Sequence, residues 1–107
     1  IEAEALLRGN KLTGALAKMN EVRALAPVAN VTATTIDEGW TLLKRERGVE
    51  LWLEARRLGD LRRWKAANTP GTLSPLELPG AASHLSKQDL CFPISRSERD
   101  TNPNVRT

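Results

Sequence analysis

Three observations on the sequence predict an all-α fold. From Arg45 to Trp64 charge, leucine and tryptophan recur at helical spacing with almost no loop-forming residue. Upstream, Leu12, Ala15, Leu16, Met19, Val22 and Ala26 step by three and four, which places them on one helix face. Between these stretches Thr35 stands three residues before Glu38, the spacing in which a hydroxyl and a carboxylate satisfy each other's exposed backbone donors at a helix start. A chain of 107 residues suffices for one small core, burying roughly two-thirds of its unfolded surface. Two domains are not expected.

The first helix spans the strong helix formers Glu2 to Arg8 and stops at Gly9-Asn10, since both residues tolerate the left-handed conformation of a helix C-terminus. The second starts near Thr13, taken as its N-cap, and is terminated by Pro27. So short a connection forces antiparallel neighbours. Residues 1–27 are therefore read as a helix hairpin of the tetratricopeptide kind, the unit that stacks into helical solenoids. The period does not recur later in the chain, which places any further repeats upstream. The chain also opens at Ile1 inside a helical pattern, without Met or an apolar leader, and is read as a piece of a larger protein.

After a loop at 28–33, Thr35 opens a long helix and its continuation over 35–66. Ile36, Trp40, Leu43, Arg47 and Glu50 form one stripe, with Leu42, Val49, Trp52 and Leu53 beside it, so charged positions share the buried surface. Gly48 and Gly59 each cost about 1 kcal/mol relative to Ala in a helix interior, and Gly59 is the expected kink or break. The pattern ends at Asn68-Thr69-Pro70-Gly71. In residues 67–107 a loop punctuated by Pro70, Pro75 and Pro79 leads to a short extended run around Phe92-Pro93-Ile94. Ser95 with Glu98 then opens a short terminal helix that stops before Asn102-Pro103-Asn104.

The net charge of +3 is unevenly placed: Lys44 to Lys65 holds eight basic and four acidic residues. Clustered arginine is what phosphate neutralisation requires, so a nucleic-acid-binding helix built on Arg56, Arg57, Arg62 and Arg63 is one alternative. Internal pairing is favoured because acids are laced through the run. Arg47 and Glu50 stand three apart, as do Glu54 and Arg57, and Asp60 lies four after Arg56 and three before Arg63. The expected structural network is Arg45, Glu46, Arg47, Glu50, Glu54, Arg57, Asp60, Arg62 and Arg63, with Glu46, Glu50 and Glu54 as buried acids held ionised by Arg45, Arg47 and Arg57.

Catalysis finds little support. Glu46, Glu50 and Glu54 lie four apart and point the same way, whereas paired-acid catalysis needs carboxylates facing across a cleft. A di-metal carboxylate site wants Glu-x-x-His, which is missing. His84 and Cys91 are each the only residue of their kind, which argues against a zinc site, and Cys91 between Leu90 and Phe92 reads as a small core residue. No catalytic residue, metal or cofactor is expected. Trp40, Trp52 and Trp64 are candidate sugar-stacking platforms, but their twelve-residue spacing rotates each by about 120° on an unbroken helix, so they do not form one platform. Core packing with internally bonded indole N–H groups is favoured. Trp64, followed by Lys65 and a loop, is the one placed to reach a surface and the single ligand-binding candidate.

Three motifs in order resemble the C-terminal region of the SusD/RagB family. Asn20-Glu21-Val22-Arg23 matches the family's Asn-x-Val-Arg at the end of a helix hairpin. Arg45-Glu46-Arg47, Glu50-Leu51, Glu54, Arg57 and Asp60 through Trp64 match its long charged helix and the R-x-x-D-L-R-R-W continuation. Phe92-Pro93-Ile94, Glu98 and Asn102-Pro103-Asn104 are similar to its closing segment. Departures are Gly48 for Arg, Leu53 for Phe, Ala55 for Gly, Leu58 and Gly59 for two aromatics, and Ser95 for Pro.

The resemblance implies an all-helical SusD-like fold, of which residues 1–107 would be the C-terminal part. It implies a lipoprotein anchored on the external face of the outer membrane, with a SusC-type TonB-dependent transporter as partner and an oligosaccharide or other nutrient as ligand. In the family the ligand surface comes largely from upstream segments, so this part is expected to be scaffold, with no nucleic acid bound. The other alternative is a purely structural helical-repeat module.

Overall fold

The computed structural model describes residues 1–52, 54–78 and 95–105. Their regular structure is helical throughout: α1 (Glu2–Arg8), α2 (Leu12–Leu25), α3 (Ile36–Glu50), α4 (Arg57–Ala66) and α5 (Arg96–Thr101), with single 3-10 turns at Pro75–Glu77 and Pro103–Val105. The all-α expectation holds. The expectations for Leu53, His84, Cys91 and the Phe92-Pro93-Ile94 segment lie outside the described residues.

α1 stops where its sequence requires. Asn10 takes a left-handed φ of 56°, which turns the chain so that its own N–H reaches the Leu7 carbonyl at 3.0 Å and the Lys11 N–H the Leu6 carbonyl at 2.8 Å. Those two bonds satisfy carbonyls that a helix end leaves unpaired. The chain then doubles back: Gly14 lies over Leu6, and farther along Lys18 reaches Glu2 at 3.4 Å, as in an antiparallel pair. α2 begins at Leu12 with Lys11 as N-cap, so Thr13 is inside the helix and is not its cap. Ala15 and Met19 are buried, with Leu12 and Leu16 packed beside them. Farther on the stripe leaves the core, and Val22 and Leu25 are exposed.

Thr35 starts α3 with the full reciprocal cap. Its hydroxyl accepts from the Glu38 N–H, and the Glu38 carboxylate accepts from the backbone N–H groups of Thr34 and Thr35. α3 then lies so close to the hairpin that a Cβ at Gly39 would stand 2.6 Å from a Leu12 methyl. Any larger residue there would have to displace the Leu12 and Leu7 methyls. Ala3, Leu7, Ala15, Met19, Trp40, Leu43 and Trp64 form the core.

The long stretch over 35–66 is two helices. α3 ends at Glu50, the described residues after it turn, and α4 starts at Arg57. The pivot is Ala55, at φ 54°, and not Gly59, which lies inside α4 with open space around it. A glycine inside a helix does not itself break it, whereas a residue forced into the left-handed region ends the helical hydrogen-bond ladder. α4 closes as α1 does. Asn68, at φ 45°, lets its own N–H bond Lys65 and the Thr69 N–H bond Trp64, both at 3.1 Å.

Beyond α4 the chain returns to α3. Gly71, at φ 75°, presses so closely that a Cβ would stand 2.6 Å from the Thr41 backbone nitrogen, and the Thr72 N–H donates to the Thr41 hydroxyl at 2.9 Å. At α5 the Ser95 hydroxyl accepts from the Glu98 N–H, but the Glu98 side chain receives the Asn102 amide, so only one limb of the expected capping box forms.

Candidate functional site

The polar interior is assembled around Trp64, which α4 buries to 3% exposure. Arg57, Lys44 and Arg63 lie 5.3, 5.7 and 5.7 Å from its ring centroid. A cation over an electron-rich ring is stabilised by roughly 0.5–2 kcal/mol, but three like charges repel unless each is neutralised elsewhere. Each has its own acceptors. Lys44, itself buried, donates to the carbonyls of Pro70 at 2.7 Å, Gly71 at 3.0 Å and Thr69 at 3.4 Å. Three donors meet three carbonyls, which fastens the returning segment to α3. Burial pushes the Lys44 pKa below its usual value, and the nearby Arg57 charge adds to the effect. Arg57 grips the Glu77 carboxylate with both limbs and donates to the Lys44 carbonyl at 2.8 Å. Its guanidinium crosses directly over Gly48.

Beside this box runs a ladder of alternating charges. Arg8 donates to Glu4 at 3.1 Å, and Arg63 bridges Glu4 to Asp60, with bonds of 3.0 Å to Glu4 and 2.8 Å to Asp60. Arg47 completes it with a two-pronged grip on Asp60 at 2.8 and 2.9 Å. The ladder joins α1, α3 and α4 through two buried acids. For each acid, burial is the largest influence and opposes ionisation. The guanidinium bonds together outweigh it and hold Glu4 and Asp60 below their ordinary pKa values. Arg63, bonded to both, is raised in turn. A general acid needs the opposite shift, so the ladder fastens helices and is poorly suited to proton transfer.

A third connection ties the hairpin to α3. The Asn20 amide accepts from the Val31 N–H at 2.8 Å and donates to the Val31 carbonyl at 3.0 Å, as a neighbouring strand would. Arg23 donates to the Ala29 carbonyl at 2.7 Å and grips the Glu46 carboxylate at 2.8 and 2.9 Å. One side chain thus pins the loop after α2 and, at the same time, the middle of α3.

The sequence profile of the SusD family matches residues 1–106, nearly the whole chain. The chain belongs to the SusD family. No curated protein and no solved structure gave a significant match. Two of the three stretches that resemble SusD/RagB proteins carry these connections: Asn20 and Arg23 hold the loop and Glu46, while Arg47, Arg57, Asp60, Arg63 and Trp64 hold the box and ladder. In this SusD-family chain Gly48 stands where the pattern has arginine, and its missing side chain is the space Arg57 occupies.

The structure redistributes the expected pairs. Asp60 and Arg63 meet at their helical spacing, but Arg47 bypasses Glu50 for Asp60, and Arg57 bypasses Glu54 for Glu77. Glu50 and Glu54 are exposed and enter no ion pair among the described residues, and the same is true of Arg45. Glu46 is half-buried and paired with Arg23. Arg62 is exposed on α4. The expectation of Glu50 and Glu54 as buried acids is corrected, because α3 ends at Glu50 and the turn carries both side chains into water.

The tryptophans are corrected too. Trp64 does not reach a surface and so cannot stack on a sugar, whereas Trp52 is 74% exposed. The Trp64 indole N–H has no hydrogen-bond partner among the described residues, against the expectation of an internal one. Glu4, Arg8, Lys44 and Glu77 were not singled out from the sequence. Glu4 and Arg8 carried a signal in their four-residue spacing. Glu77, in a Pro-rich loop far from Arg57 in sequence, carried none. Among the described residues no group of His, Cys, Asp and Glu is arranged to hold a metal.

Proposed function

We propose that this chain is the C-terminal, mainly scaffolding part of a cell-surface nutrient-binding lipoprotein that works with a SusC-type TonB-dependent transporter, with oligosaccharides the leading class of nutrient. SusD-family proteins are nutrient-binding proteins of the outer membrane and are not typically enzymes. The supporting observation is that several of the family's motif residues are committed inside the fold: Arg23 pairs with Glu46, Arg47 and Arg63 pair with Asp60, and Arg57 holds Glu77 of the returning segment. Side chains so committed hold a frame and leave ligand contact to other segments. No helix among the described residues is long and apolar enough to cross a membrane. Attachment in this reading is by a lipid on the N-terminal segment of the parent protein, and the transporter is met at the external face.

The test uses the full-length parent with its native leader, expressed in its own host. Labelling with a palmitate analogue, protease shaving of intact cells and co-purification with the outer-membrane transporter are expected to be positive together. Oligosaccharide titration should give heat with the parent and none with residues 1–107 alone. A parent that carries no lipid and brings down no transporter overturns the proposal.

A further inference from the structure

Residues 28–33 run from α2 towards α3 without a turn or bend, and only one edge of this segment is used. Asn20 holds both main-chain groups of Val31, and Arg23 holds the Ala29 carbonyl. In an extended chain the main-chain groups of successive residues point to opposite sides, so those of Asn30 and Thr32 are turned away from Asn20. Both residues are exposed, and neither has a hydrogen bond to any described residue. Their N–H and C=O groups recur at the two-residue period of an open strand edge, a template for another extended chain.

Thr32 also lines a cleft of about 430 Å³, with Asp37, Glu38, Thr41 and Leu42 of α3 and the returning segment at 71–72 as its other walls. The lining holds two carboxylates and no lysine or arginine, and these full charges outweigh the partial positive charge of the α3 N-terminus. Most of its polar groups are already committed. The Thr41 hydroxyl donates to the Asp37 carbonyl and accepts from the Thr72 N–H, both at 2.9 Å, and one Glu38 oxygen serves Thr34 and Thr35. The Asp37 carboxylate is exposed and enters no hydrogen bond or ion pair among the described residues. The group left for a ligand is thus an acid beside Leu42 and threonine methyls, which suits a basic side chain with an apolar stem. A phosphate is repelled by the same two acids, and a sugar finds the Thr41 hydroxyl already occupied.

We propose that this edge and cleft together dock an extended segment of a partner protein, which pairs through its main chain with Asn30 and Thr32 and places a basic side chain in the cleft against Asp37. Main-chain bonds supply attachment in such strand addition, and a side-chain pocket supplies selectivity. The inference is independent of the nutrient-uptake reading, since it requires neither a glycan nor a lipid anchor.

The test is fluorescence anisotropy with the full-length parent protein and a fluorescein-labelled acetyl-Thr-Val-Lys-Val-Thr-amide peptide, expected to bind below about 200 µM at low salt. Replacing its lysine by glutamine should weaken binding at least about fivefold. Two further copies are N-methylated at alternate residues, one for each phase of the pleat; one should lose at least about tenfold and the other less than about threefold, since only one set of N–H groups faces the edge. In the protein, Asp37→Asn should weaken binding at least about fivefold, whereas Glu50→Gln, the same change at an exposed acid outside the cleft, should alter it less than about twofold. Circular dichroism of both variants should match the parent, since neither acid enters an ion pair among the described residues. Equal binding of the lysine and glutamine peptides, equal losses in the two methylated copies or in the two variants, or no binding by about 1 mM would each overturn the proposal. So would displacement of the peptide by maltohexaose, or a dimer in sedimentation that Asp37→Asn dissociates, which would give the cleft to a glycan or to a second copy.

Discussion

Glu50 and Asp60 belong to one charged stretch, each with an arginine three residues away, and they meet opposite fates. Asp60 is 6% exposed and receives two arginines. Glu50 is exposed and loses its neighbour Arg47 to Asp60. Local spacing offers an exposed helix pair only about 0.3–0.5 kcal/mol. A two-pronged bond to a buried carboxylate is stronger, and leaving such a carboxylate unpaired would cost several kcal/mol. Arg47 therefore goes where its absence would be most costly, and helical spacing decides only pairs that burial leaves undecided.

Removing the buried member of this comparison should have the largest effect. Asp60→Ala strands Arg47 and frees Arg63 from one partner, and should destabilise the chain by about 3 kcal/mol or more in urea titration. Glu50→Ala should leave the urea midpoint where it is, and a comparable loss there would abolish the contrast. Lys44→Met keeps the stem but removes the donor to three carbonyls, with an expected loss of about 1–3 kcal/mol. Proteolysis of the 69–72 segment should accelerate with it.

A third effect is set by pH. Glu4 and Asp60 have pKa values lowered by folding, and so does exposed Glu38, through the Thr34 and Thr35 donors at the α3 cap. Unfolded carboxyls titrate near about pH 4. Depressed carboxylates contribute stability above that value and lose it as pH falls through their folded values. The urea midpoint should hold from about pH 7 to about pH 5 and then fall below about pH 4. Asp60→Asn should flatten that fall, and a midpoint that drops already near neutrality would refute the assignment. The smallest change concerns the turn itself. Ala55 holds a left-handed φ where the SusD/RagB pattern has glycine, so Ala55→Gly should stabilise by up to about 1 kcal/mol, with the exposed Glu54 unaffected.

Much of the fold was legible because its signals are local. The helix ends at Asn10 and Asn68 depend on residues that tolerate positive φ, and the α3 start on a hydroxyl and a carboxylate three residues apart. Gly59 lies inside α4 although glycine's flexibility points to a break there, and the chain turns instead at Ala55, whose left-handed φ no local pattern announces. Trp64 is a second such position. Its sequence neighbours Lys65 and a loop suggested the surface, but the cations that enclose it come from α3 as well as α4. The interior acid Glu4 lies 59 residues from Arg63, a separation that no periodicity can register.

By itself the sequence determined the helical class, the antiparallel hairpin, most helix ends and the supply of paired charges. Each of these follows from backbone preferences and side-chain period over a few residues. Only the tertiary structure decided which charges pair, which tryptophans are buried and where the long stretch turns. Those outcomes depend on removal from water, and a side chain loses its water only when distant helices close over it.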